Sequence, residues 1–161
     1  MASPRVLFLC TGNYFRSRFA ELLFNHRARS AGLPWLAESR GLAIERGHGN
    51  VGPISANTLR ALAERGIHPE PPVRFPVPLR EADLRQARYV VAVKEAEHRP
   101  LLDLKFPGWA ERVEFWHVDD VDCAPPEHAL AVLEGEVERL LRRLAEPWSA
   151  VRMVFGAEDK T

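Results

Sequence analysis

Arg5-Val6-Leu7-Phe8-Leu9-Cys10-Thr11-Gly12-Asn13-Tyr14-Phe15-Arg16-Ser17 is the stretch from which the fold is read. An apolar run of strand length ends in a cysteine, and a short turn containing Gly-Asn follows. Helical spacing then begins at Ser17, with Phe19, Leu22, Leu23 and the stem of His26 on one side until Gly32-Leu33-Pro34 stops it near Ser30. A turn of this kind can direct successive backbone N–H groups inward as an anion nest, to which the helix adds its positive N-terminal end. A thiolate and a phosphate would both be held there.

Working outward, the rest of the chain alternates strand and helix signals. Trp35 to Gly41 reads as a second strand. Gly47-His48-Gly49-Asn50-Val51-Gly52-Pro53 reads as a loop, and Ser55 as the cap of a helix carrying Leu59, Leu62 and Ala63 up to Gly66. Five prolines between Pro69 and Pro78 predict an extended segment with at most a short strand at Val73 to Phe75. Glu81 to Gln86 is a short helix, Tyr89 to Val93 a buried parallel strand, Glu95 to Leu102 a helical stretch and Val113 to Val118 a fourth strand. Pro125-Pro126-Glu127 starts a long amphipathic helix through Leu130, Leu133, Val137, Leu140, Leu141 and Leu144. The expected architecture is α/β, an open parallel sheet of about four strands with helices on both faces. No repeat or linker divides the chain, so residues 1–161 are expected to form one domain, with 147–161 as a C-terminal extension whose Trp148 and Phe155 pack on the body.

Composition narrows the class of function. Lys+Arg and Asp+Glu are both 22, so no global field draws the chain to nucleic acid or anionic lipid, and any positive site is local. After Met1–Arg5 a run of only five apolar residues precedes Thr11-Gly12, too short for a signal-peptide core or a membrane span, so a cytoplasmic location is expected. The heavy use of Arg, Leu, Ala, Glu and Pro suggests a bacterial source. Two cysteines, Cys10 and Cys123, cannot build a disulfide framework. The six histidines show no ligand spacing, so neither a metal nor a cofactor is expected.

In an open parallel sheet, ligands bind beyond the carboxyl ends of the strands. The first strand delivers Cys10 to that rim, and the fourth delivers Asp119-Asp120-Val121-Asp122. Hydrolysis of a phosphate ester through sulfur needs an ionised nucleophile, donors for the transition-state oxygens and an acid for the leaving alcohol. Cys10 sits where a helix terminus and Arg16 favour its thiolate. Arg16 offers a planar fork for two phosphate oxygens, the plainer alternative being a pair with a carboxylate on the next helix. Gly12 permits a positive φ, Asn13 tolerates one, and Ser17 can donate its hydroxyl to the sulfur. The plainer alternatives are Cys10 as a buried strand-end hydrophobe and the acidic cluster as a solvated loop before the last helix.

The loop from Cys10 to Ser17 resembles that of the low-molecular-weight protein tyrosine phosphatases and the related arsenate reductases. So do Ala20-Glu21, Glu38-Ser39, Asn50-Val51-Gly52, Gly66-Ile67-His68 and Trp116-His117-Val118-Asp119-Asp120. The resemblance implies that Cys10 forms a phosphocysteine, that Thr11, Gly12, Asn13, Tyr14, Phe15, Arg16 and Ser17 bind phosphate, and that Asp120 is the general acid. It implies hydrolysis of aryl phosphates such as protein phosphotyrosine, with phosphate or sulfate as the bound anion and a substrate cleft at Tyr14, Gly49, Asn50, Val121 and Asp122. Val121 stands where the family usually has proline, which leaves Asp119 and Asp122 as competitors for the acid.

Other departures carry chemistry. Phe15 occupies the place where family members commonly carry a second cysteine, so the local disulfide that rescues an oxidised nucleophile is missing, and Cys123 is either a distant resolving thiol or inert. Lys94 stands where relatives often have an aspartate after the third strand. Tyr14 replaces the small threonine of the family's phosphoarginine phosphatases. The alternatives to a phosphatase are an arsenate reductase, a phosphocarrier that passes phosphate on without hydrolysis, and a non-catalytic phosphate-binding module. Arg40 and Arg74 either line the cleft or merely solvate it.

Overall fold

Strand β1 (Arg5–Cys10) is buried from Val6 to Cys10, which is why its apolar run does not alternate. In the computed structural model, which describes residues 3–158 with side chains up to residue 146, β1 lies inside a four-stranded sheet. With β2 (Leu36–Gly41), β3 (Tyr89–Ala92) and β4 (Val113–Phe115), the order is β2-β1-β3-β4 and every pairing is parallel. The expected parallel α/β sheet is therefore present.

Successive side chains of β1 leave opposite faces. Val6, Phe8 and Cys10 join Phe19, Leu23 and Phe24 of α1 (Arg16–Ser30), Leu62 of α2 (Ala56–Glu64), and Leu133, Val137 and Leu140 of α5 (Pro126–Glu158) in one core. Leu7 and Leu9 join Leu84 of α3 (Glu81–Gln86) with Leu101 and Leu102 of α4 (Glu95–Lys105) in the other. Phe8 anchors the first core, with its ring centroid 5.9 Å from Phe24 and 5.8 Å from Trp116. The chain leaves β1 for β2 on one side and returns to β3 on the other, so the strand order reverses beside β1 and opens a crevice beyond Cys10.

Several boundaries differ from the sequence reading. β4 stops at Phe115 because β3 ends at Ala92 and turns into α4. Trp116 and Val118 still donate to the Ala92 and Val93 carbonyls at 2.9 and 2.8 Å, beside an isolated antiparallel bridge between Lys94 and His117. No strand forms at 73–75, and the backbone of the segment pairs with the sheet edge at an isolated bridge between Pro78 and Gly41. α2 buries Thr58, Ala61 and Leu62 rather than Leu59 and Ala63, a face rotated by one residue. The backbone of α5 continues through residue 147 to Glu158 as the same helix. Trp148 and Phe155 lie outside the described side chains.

Candidate active site

Cys10 ends β1 at the crevice, and α1 begins at Arg16 without the usual cap. Its N-cap residue, Phe15, makes no side-chain cap hydrogen bond, and the first turn carries no acidic residue. Among the described residues no acceptor takes the backbone N–H of Gly12, Tyr14, Phe15 or Arg16. A helix start with this many orphan donors and a positive dipole end attracts an anion. These residues, with Cys10 and Thr11, line a cavity of about 240 Å³.

The loop keeps its shape because of Asn13. It is the one non-glycine residue among those described with positive φ, at 52°, and its side chain is fully buried. Its Oδ1 accepts from Val77 N–H and from Arg74 Nη1, both at 3.0 Å, which fixes the orientation of the amide. Its Nδ2 then donates to Ser17 Oγ at 2.8 Å and Ser39 Oγ at 2.9 Å. Because Ser17 Oγ accepts from Asn13, its own hydrogen is left for Cys10 Sγ at 2.9 Å, and the Asn13 N–H donates to the same sulfur at 3.2 Å. Two donors thus converge on the sulfur. Ser39 in turn donates to Glu21 at 2.6 Å, and Arg74 binds Glu21 at 2.9 Å. Beside them, buried Arg18 donates to the Pro53 and Arg74 carbonyls at 3.0 and 2.8 Å. Burial and the charge of Arg74 push Arg18 down to about 10, so it stays charged at neutral pH and adds to the positive potential around the sulfur.

Gly41 is required by this packing. A Cβ there would come within 2.9 Å of the Thr11 carbonyl oxygen and 2.8 Å of Ile44 Cγ2, and the carbonyl belongs to the loop backbone.

Arg16 is almost completely buried and stretched between three acceptors. Nη1 donates to the Val118 carbonyl at 2.9 Å, while Nη2 meets Glu97 at 2.7 Å and Asp120 at 3.2 Å. Burial works against its charge, but the negative sulfur of Cys10, followed by Glu97 and Asp120, outweighs burial and raises its pKa. Burial likewise opposes the charge of Glu97, yet hydrogen bonds from His98, Arg16 and Thr11 hold it well below the usual carboxylate range. Asp120 lines the cavity, and its Oδ1 accepts from Val121 N–H at 2.8 Å. The two competing aspartates are engaged elsewhere: Asp119 pairs with Lys94 at 2.9 Å, and Asp122 bonds the exposed Cys123. That bond to Asp122 pushes the Cys123 thiol up, away from the ionised form a resolving thiol needs.

The structure brings Cys10, Thr11, Gly12, Tyr14, Phe15, Arg16, Asn50, Asp120 and Val121 to the cavity wall. Two sequence-based placements are corrected. Gly49 faces open space, because the Asn50 amide folds against Gly47 instead. Asp122 turns out toward Cys123 and does not line the cavity. Asn13 and Ser17 lie beneath the loop, where the Ser17 hydroxyl meets the sulfur as expected and the Asn13 amide ties the loop in place. Of the two loop residues able to take a positive φ, Asn13 does so and Gly12 does not. Arg74 braces the underside of the loop, and Arg40 lies 3.4 Å from Asp83, away from the cleft. The sequence reading missed Arg46, Gly47, Ser55 and Asn57 in the wall and Glu97 and His98 behind Arg16. Ser55 had been read only as a cap, and Glu97 left a signal in being an acidic residue in the first turn of α4. Among the described residues no three His, Cys, Asp or Glu side chains are grouped to hold a metal ion.

The family model for low molecular weight phosphotyrosine protein phosphatase matches residues 5–149. The chain belongs to this family. It is accordingly a hydrolase of the low molecular weight protein tyrosine phosphatase class. The low molecular weight protein tyrosine phosphatase from T. tengcongensis is 30% identical, with 90% of this chain and 99% of that one covered and a TM-score of 0.70. The low molecular weight protein tyrosine phosphatase from Streptococcus pyogenes is 21% identical, with coverage of 88% and 93% and a TM-score of 0.74. A thioredoxin-dependent arsenate reductase from Corynebacterium glutamicum is 22% identical, covering 89% of this chain and 63% of that one at a TM-score of 0.66. The last two show a shared fold. No curated protein sequence matches the chain. Among the described residues of this phosphatase, no helix is long and apolar enough to cross a membrane.

Proposed function

We propose that the protein hydrolyses aryl phosphate monoesters, protein phosphotyrosine among them, through a phosphocysteine at Cys10. The observation that supports this most is the convergence of Cys10 and Arg16 of one loop with the sequence-distant Asp120 on one cavity of about 240 Å³. In the first step the Cys10 thiolate attacks phosphorus, the bond to the aryl oxygen breaks, and the protonated carboxyl of Asp120 gives its proton to that oxygen. In the second step Asp120, now a carboxylate, takes a proton from water as the water oxygen attacks phosphorus. The S–P bond breaks, and its electron pair returns to sulfur under the Ser17 hydroxyl, 2.9 Å away. Arg16 and the loop N–H groups bind the phosphoryl oxygens throughout. In the unliganded site Asp120 holds one Arg16 N–H at 3.2 Å. An arriving phosphoryl group takes over that donor and frees Asp120 to face the leaving oxygen.

The polar wall at Arg46, Asn50 and Asn57, with Tyr14 as the aromatic side, supports a phenolic ester long enough to reach the sulfur. Arsenate would fit the same cradle. A reductase relay, however, needs further reactive thiols, and the other cysteine here is exposed with its thiol pKa pushed up.

The test is phenol release from an aryl phosphate in EDTA. The native chain should turn over, Cys10→Ser should show no turnover, and Asp120→Ala should lose on the order of 10²- to 10⁴-fold in kcat. Full activity in Cys10→Ser overturns the reading. A loss confined to Asp122→Ala moves the acid to Asp122.

A further inference from the structure

We propose that Glu97 is a positioning residue for the reaction, setting the plane of the Arg16 guanidinium and the pose of Thr11 for the five-coordinate transition state. This rests on the phosphatase reading above, and no part of the loop motif contains Glu97.

Lys94, two residues after β3, does not serve Arg16; it pairs with Asp119 at 2.9 Å and lies 3.7 Å from Cys123. The carboxylate behind the arginine comes instead from the first turn of α4, where a negative charge suits the helix N-terminus. Glu97 Oε2 accepts from Arg16 Nη2 at 2.7 Å and from the Thr11 hydroxyl. His98 completes the arrangement. Its Nδ1 accepts the Lys94 N–H at 3.1 Å, so the neutral ring carries its proton on Nε2. That atom lies 3.2 Å from Glu97 Oε2 and 3.1 Å from Thr11 Oγ1. Both terminal nitrogens of Arg16 have partners, and the arginine side chain is only 2% exposed. The guanidinium therefore has little freedom to rotate. It is held at Nη1 by the Val118 carbonyl and at Nη2 by Glu97, with Asp120 as the partner that can leave.

A tetrahedral dianion is satisfied by positive charge from many angles. The trigonal-bipyramidal state needs the guanidinium edge aligned with two equatorial oxygens, so orientation counts more there than charge. Removing the carboxylate while keeping its shape should weaken the transition state and leave ground-state anion binding unchanged or tighter, since a competing negative charge is gone.

The test compares native protein with Glu97→Gln for binding of inorganic phosphate and of orthovanadate, whose vanadium accepts the sulfur as a fifth ligand. Both are measured by calorimetry alongside kcat and KM for an aryl phosphate. The expected result is a fall in vanadate affinity relative to phosphate of roughly ten- to a hundredfold, matched by kcat, with KM not raised. Affinities for the two anions that shift together, or do not shift, overturn the assignment. Native protein that binds both anions yet releases no phenol overturns the phosphatase reading and leaves Glu97 in its role if the binding ratio still changes. Native protein that binds neither overturns both.

Discussion

At the scale of single residues, Asn13 decides the loop. It pairs a left-handed backbone, which costs a β-bearing residue of order 1 kcal/mol, with a side chain whose two N–H and two acceptor sites are all used. Asn13→Ala keeps the strained backbone, takes one partner each from Ser17, Ser39 and Arg74, and leaves the Val77 N–H without its acceptor. The variant should lose about 3 kcal/mol in urea unfolding, together with most of its turnover; unchanged stability would show that the loop does not depend on these bonds. Asn13, Cys10 and Arg16 were legible in the sequence because a strand, a tight turn and a helix start impose local rules. Gly41 was not, because its need for a bare Cα comes from the Thr11 carbonyl, a contact made by a strand distant in sequence. Gly49 and Asp122 were misplaced for a related reason. Loop composition marks a cleft without saying which residue turns inward.

At the scale of elements, α1 and α2 divide the labour of the loop. α1 presents an uncapped, positive end to the anion, whereas α2 is fully capped: Ser55 Oγ accepts from Asn57 and Thr58 N–H at 3.1 and 3.4 Å. α2 then holds the loop through Thr58 Oγ1, which donates to the Phe15 carbonyl at 2.9 Å, while Ser55 N–H donates to that of Tyr14 at 3.0 Å. Ser55→Ala should therefore cost about 1 kcal/mol of stability, read as a lower urea midpoint; no change would mean that another group takes over the cap. The caps and helix spans were readable from sequence, but rotational phase was not. α2 buries Thr58 and Ala61 where Leu59 and Ala63 were expected, and the acidic first turn of α4 marked Glu97 without showing that it and His98 face the arginine. Phase is set by neighbours remote in sequence, chiefly the sheet and loop beneath each helix.

At the scale of the whole molecule, net charge is zero and the positive potential is concentrated around one sulfur. Stability should depend on pH through groups built into that concentration. Burial, assisted by the charge of Arg16, holds His98 below its ordinary 6.5 against the pull of Glu97. A base depressed in the folded state is protonated first in the unfolded chain, so its contribution is complete above pH 6.5 and declines as pH falls toward the folded value. Glu97, Glu114 and Glu134 are held below 4.5, and their contributions decline as pH falls through and below that value. The urea midpoint should thus be lower at about pH 5.5 than at about pH 7.5, by no more than about 1.4 kcal/mol per unit for one proton, and His98→Gln should flatten that span. An equal slope in the variant would remove His98 as the cause. The parallel sheet, its two helical layers and the meeting of Cys10 with Asp120 followed from strand–helix alternation and the rule that sites lie beyond strand ends. The length of β4 did not, because it depends on where β3 turns away. The central claim is that sulfur at position 10 carries the phosphoryl group. Asp120→Ala mixed with an aryl phosphate, quenched within the first turnover and digested for mass spectrometry, should show one added phosphoryl group on the peptide containing Cys10. Phenol released in that first turnover with Cys10 unmodified would contradict the account.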